Sequence, residues 1–173
     1  MNTRQITGIV IHCSGTPNGQ WHNVQEIDQW HQAQGFERAE EFRQRFNSPL
    51  HAIGYHFVIY PNGAIATGRH LHEVGQHTKN HNTKTIAICL IGADKFTPQQ
   101  WDALRDNVVL LTREKYYPEA SIVGCNQIEV GQQNNPGFDV AAWWLESGMK
   151  PFASRIFVGA DGICPESVNG ASA

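Results

Sequence analysis

"IAICLIGADKFTPQQWDAL", residues 86–104, carries the two periodicities whose succession decides the fold class. Its first seven residues are continuously apolar, as a strand buried on both faces of a sheet requires. Thr97-Pro98-Gln99-Gln100 then offers a side-chain cap, a proline at the first helical position and a glutamine at the third. Trp101, Leu104, Val108 and Leu111 continue at helical spacing, so a long helix is predicted as far as Tyr117-Pro118. A buried strand leading into a capped amphipathic helix is the repeating unit of an α/β fold.

The flanking sequence extends the pattern. "ITGIVIH", residues 6–12, is a short β-branched run closed by Cys13-Ser14-Gly15, which places His12 at the C-terminal end of a central strand. Asn23 with Glu26 three positions on predicts a capping box, and Val24, Ile27, Trp30 and His31 follow at helical spacing to near Gly35. Residues 36–52 mix charges with Phe36, Phe42 and Phe46 and read as an insertion with one short helix. "IGYHFVIYPNGAIATG", residues 53–68, predicts a hairpin: a strand over 54–60, a turn at Pro61-Asn62-Gly63 and a return strand from Ala64. "SIVG" at 121–124 is a further strand and "FDVAAWWLES" at 138–147 a last helix. The domain is therefore expected over 1–151, with the pattern-poor residues 152–173 a tail or loosely docked extension.

Composition narrows the function classes. A chain of 173 residues buries about two thirds of the surface its unfolded form exposes, so no disulfide scaffold is required. Its four cysteines, Cys13, Cys89, Cys125 and Cys164, show no paired zinc-ribbon spacing. A net charge of -3 gives no basic footprint, which argues against nucleic acid as a partner. No apolar run approaches the ~20 residues of a membrane helix, and "MNTRQITGIVIH" has no charged-then-apolar leader, so synthesis in the cytoplasm without membrane insertion is expected.

Six strings occur in order across residues 9–144: "IVIHCSGTPNG", "IDQWHQAQGF", "IGYHFVIYPNGAIATGR", "EVGQHTKNHNTKTIAICLIG", "FTPQQWDAL" and "NPGFDVAAWW". Together they resemble the type 2 N-acetylmuramoyl-L-alanine amidases, a family that includes phage endolysins and peptidoglycan recognition proteins. The resemblance implies a mixed central sheet flanked by helices, with a zinc cleft at one edge. It also implies peptidoglycan or a muropeptide as partner and cleavage of the amide between the lactyl group of N-acetylmuramic acid and L-alanine.

Amide hydrolysis needs a nucleophilic water, oxyanion stabilisation and a proton for the leaving amine, and an open-coordinated zinc supplies the first two. By resemblance the three metal-ligand positions fall on His12, Cys125 and Asn135, and a transition-state lysine position falls on Gln133. Only His12 keeps the residue type the family uses there. Cys125 stands in "VGC" where the family has "VGH"; it is either a thiolate ligand or a small buried hydrophobe. Asn135 brings no charge to a metal, and Gln133 none to an oxyanion. Tyr55 matches a tyrosine placed near the metal as proton relay or oxyanion partner, against the alternative of a core aromatic. His77, Asn80 and Asn82 lie in the loop that borders the family's substrate groove.

The expectation is an amidase-family domain that binds muropeptide with a degenerate zinc site and impaired hydrolysis. Two alternatives stay open: a working zinc amidase, an endolysin with an unusual His/Cys site, and a protein-interaction module that reuses the groove.

Overall fold

Four parallel strands and one antiparallel strand make the sheet of the computed structural model, which describes residues 3–114 and 117–159. The strands are β1 (Gly8–Cys13), β2 (Phe57–Ile59), β3 (Ile65–Thr67), β4 (Thr85–Leu90) and β5 (Ser121–Gly124), in the spatial order β3-β2-β4-β1-β5. Only the β2–β3 hairpin pair is antiparallel, so the sheet is mixed, as the resemblance implied. β1 and β4 are buried along their whole length, which explains why both read as continuous apolar runs rather than alternating ones.

Alternation along β1 and β4 sorts side chains between two cores. Ile9, Ile11 and Cys13 join Ile86, Ile88 and Leu90 against Trp101, Leu104 and Val108 of α3 (Pro98–Val109) and Trp143 of α5 (Val140–Leu145). Cys89 and Ile91 face the other way, toward Val24 and Ile27 of α1 (Val24–Ala33). His12 pairs in register with Cys89. It therefore lies on the α1 side of the sheet, at the C-terminal ends of the strands, where open α/β sheets place their sites.

The helix termini follow the sequence signals in part. Thr97 and Gln100 form the full reciprocal capping box of α3. At α1 only half forms: Asn23 accepts from Glu26 N, while the Glu26 carboxylate turns to His22 Nδ1 at 2.7 Å. The apolar stripe runs past the end of α3, because a π-helical turn over Leu110–Glu114 still buries Leu111.

Two segments are tied down by side chains. The 36–52 insertion carries α2 (Glu40–Arg45) and is anchored by Arg38, whose guanidinium donates to Glu73 and to the carbonyls of Phe46, Asn47 and Leu50. Residues 152–157, expected as tail or loose extension, pack Phe152 and Ile156 on the main core. Phe96 N donates to Arg155 O, Phe157 N to Phe96 O, and Trp101 Nε1 to Arg155 O. The rest of the expected tail, residues 160–173 with Cys164, lies outside the described residues.

Candidate functional site

A cavity of about 370 Å³ opens at the C-terminal ends of β1 and β5, and His12, Tyr55, His77 and Asn135 all line it. Its remaining wall is aromatic and amide-rich, with Trp30, Phe36, Gln34, Gln76 and Gln132, and carries one carboxylate, Glu129.

His12 meets the 77–78 loop rather than open solvent. Its Nε2 lies 3.1 Å from His77 Nδ1 and 3.2 Å from Thr78 Oγ1, and its ring is 5.1 Å from that of Tyr55. Burial holds His12 neutral, lowering its pKa to about 3, with the neighbouring His31 adding to the effect. Burial likewise holds His77 well below the ordinary imidazole value, followed by the influence of His12.

Counting protons assigns the tautomers. Thr85 Oγ1 donates to His81 O at 2.7 Å, so its contact with His77 Nε2 makes that nitrogen the N–H donor. His77 Nδ1 is then an acceptor, and His12 Nε2–H donates toward it. Thr78 also neighbours Cys125 and lowers its thiol pKa against the larger upward effects. The Cys125 thiol in turn donates to Glu129 Oε2 at 3.4 Å. Burial and then Glu129 push this thiol up to about 12, so it is protonated at neutral pH.

Asn135 is held by its oxygen. Asn135 Oδ1 accepts the main-chain N–H of Cys13 at 2.8 Å, and Nδ2 donates to Gln132 Oε1 at 3.2 Å. Tyr55 is half-buried, and burial, followed by the nearby Cys89 thiol, raises its pKa well above the ordinary value.

The other candidates sit elsewhere. Gln133 lines a neighbouring cavity with Asn126, Gln127 and Arg155. Asn82 turns its Oδ1 to the main-chain N–H groups of His77 and Thr78, so it shapes the loop from behind. Asn80 is exposed, in the left-handed backbone region with φ 69°. Among the described residues no group of three or more His, Cys, Asp or Glu is placed to hold a metal ion.

Sequence reasoning did not single out Glu129 or Thr78. The short helix α4 (Cys125–Ile128) turns the chain straight after β5, and so brings Glu129 one turn beyond Cys125. No apolar periodicity marks so short a helix. Thr78 was hidden in a polar loop whose path depends on Asn82.

The family model described as N-acetylmuramoyl-L-alanine amidase matches residues 2–138. The chain belongs to that family. It is 35% identical over 144 residues to the endolysin of Escherichia phage T7, covering 79% of this chain and 83% of the relative. In fold it is similar to the N-acetylmuramoyl-L-alanine amidase LysC from Clostridium intestinale, with a TM-score of 0.64 at 23% identity, covering 84% of this chain and 86% of that one. A mutant of Drosophila PGRP-LB in complex with tracheal cytotoxin matches with a TM-score of 0.59 at 21% identity over 83% of each chain. Amidases of this family are in general zinc-dependent. No helix among the described residues is long and apolar enough to cross a membrane.

Proposed function

We propose that this member of the amidase family binds muropeptide in the cleft between α1, the 76–78 loop and the 129–135 segment, and hydrolyses it poorly because its ligand set does not fit zinc. The observation that carries the reading is the state of Asn135. Its side chain can reach a metal only through Oδ1, a neutral oxygen that already accepts the Cys13 N–H, and its amide nitrogen has no lone pair to give. Cys125 adds a buried thiol that donates its proton to Glu129, so a metal there must displace that proton and break that bond. His12 alone keeps the family's residue type, and one imidazole holds zinc weakly.

What the cleft keeps is the capacity to bind. Trp30, Phe36 and Tyr55 offer faces for sugar and lactyl groups, and Gln34, Gln76 and Gln132 offer paired donors and acceptors for peptide amides. A cell-wall partner accords with the family match and with the named ligand of the PGRP-LB complex. The competing reading, a working zinc amidase, draws on the 35% identity to the T7 endolysin.

Sedimentation with purified peptidoglycan in the presence of a chelator tests binding. The protein is expected in the pellet, and soluble muropeptide is expected to release it. A protein that stays in the supernatant with or without zinc has lost the substrate, and the reading fails.

A further inference from the structure

We infer that the Asn135 side-chain N–H is a recognition donor for a carbonyl oxygen of the bound muropeptide, at the very place where the family's third metal ligand falls. The inference rests on the muropeptide-binding reading above.

Strand geometry fixes which way the amide points. β5 pairs with β1 only as far as Ile11 opposite Gly124, and the chain then turns away into α4. The next β1 amide on that edge, Cys13 N–H, loses its strand partner, and a buried N–H must find an acceptor. Asn135 Oδ1 fills that role at 2.8 Å. The oxygen therefore faces the strand, which settles the orientation of an otherwise ambiguous amide. The nitrogen is left on the other side of the amide, at the cavity that Asn135 lines. It carries two protons, of which the Gln132 Oε1 bond uses one.

This side chain is not what holds its own loop. Asn126 N donates to Asn135 O at 2.6 Å, Asn126 Nδ2 donates to the carbonyls of Pro136 and Phe138, and Gly137 N donates to Ala93 O. The 135–138 backbone is anchored by these bonds, and the Asn135 nitrogen is free to serve a ligand. Glu129 on the same wall disfavours a carboxylate there. The acceptor it selects is a neutral amide carbonyl, of which the lactyl-alanine junction and the stem peptide offer several.

The test is calorimetric titration of a soluble N-acetylmuramoyl tripeptide into the full chain in excess chelator. Asn135→Asp keeps an acceptor for Cys13 N–H and so keeps the fold, with a small drop in melting temperature from the lost Gln132 bond and the nearby Glu129, but it replaces the donor with a second acceptor. It is expected to bind about tenfold more weakly or worse. Asn135→Ala loses the Cys13 partner as well, so it is expected to melt lower in addition. On the unmodified protein, the Asn135 side-chain NH₂ resonances are expected to shift on titration. Wild-type affinity in a folded Asn135→Asp variant, or unmoved Asn135 amide signals at saturation, overturns the inference and leaves the binding reading intact. No binding by the unmodified protein overturns both.

Discussion

The side-chain oxygen of Asn135 and the main-chain N–H of Cys13 form a 2.8 Å hydrogen bond between residues 122 positions apart. This bond closes the ladder of β1 beyond the last residue of β5, and it occupies one of the two lone pairs of Oδ1, the side-chain atom with which Asn135 could serve a cation. A bond needed for the sheet edge thus bears directly on the chemistry of the cleft.

Changing the ligand types is expected to change the metal chemistry. Cys125→His with Asn135→Asp gives two imidazoles and a carboxylate around the end of β1, and a carboxylate has a second oxygen to offer once the first has taken the Cys13 N–H. About one zinc per chain is expected in the double variant by elemental analysis, and little in either single variant, because a ligand set acts as a unit. A folded double variant without zinc would mean that the His77–Thr78 loop keeps His12 from turning to a metal.

Leu104 is fully buried between the sheet and the Trp101 face of α3. Leu104→Ala should cost about 2–5 kcal/mol, the transfer of the lost methyl groups plus the cavity they leave. Chemical denaturation measures it; an unchanged midpoint would mean that α3 does not bury this face.

Acid should destabilise the fold well before the carboxylates titrate. His12 and His56 are lowered to about 3 and His31 to about 4, in each case first by burial, against an ordinary value of 6.5. The unfolded chain therefore takes up protons as pH falls through 6.5 while the folded one does not. The stability is fully present above 6.5 and is lost downward through a window from 6.5 to about 4 for His31 and to about 3 for His12 and His56. Each group contributes about 1.4 kcal/mol per pH unit inside that window. Urea midpoints at pH 7 and pH 5 should differ in this direction, and the difference should shrink in His31→Gln. A flat profile between them would contradict the neutral, buried state of these rings.

Glu73 is the buried carboxylate between Arg38, at 2.9 Å, and Arg69, at 3.9 Å. Glu73→Gln leaves two buried guanidiniums without their counter-charge and should cost about 3–5 kcal/mol. Hydrogen exchange of the 69–76 backbone should quicken most, since that loop reaches the cleft wall at Gln76. Loss confined to global stability, with the loop no faster than the rest, would show that Glu73 does not shape the cleft.

The sequence was legible where local physics decides the outcome. β4 reads as buried because both its faces are covered, and α3 announces itself through a capping box that is wholly local. The hairpin turn was equally plain, yet its first strand is shorter than the alternation suggests. Gly54 N donates to His31 Nδ1 and Ala87 N to His56 Nδ1, so side chains 23 and 31 residues away take over part of the pairing. Residues 152–157 carry no periodicity, and their docking rests on Trp101 Nε1 and on the Phe96 backbone, far away in sequence. Of the residues that the resemblance put at the site, His12, Tyr55, His77 and Asn135 line one cavity. Gln133 lines another cavity, because residue spacing says nothing of which side of the 131–135 loop a side chain takes. The commitment of Asn135 to Cys13 could not be read at all: it depends on where β5 ends.

The central claim is that this cleft binds muropeptide without an effective zinc centre. The direct measurement is the zinc content of the purified, zinc-supplemented protein, taken together with release of L-alanine-terminated peptide from purified cell wall. Substoichiometric zinc and at most trace release, unchanged by chelator, is the predicted result. One zinc per chain with strong release that a chelator abolishes would contradict it.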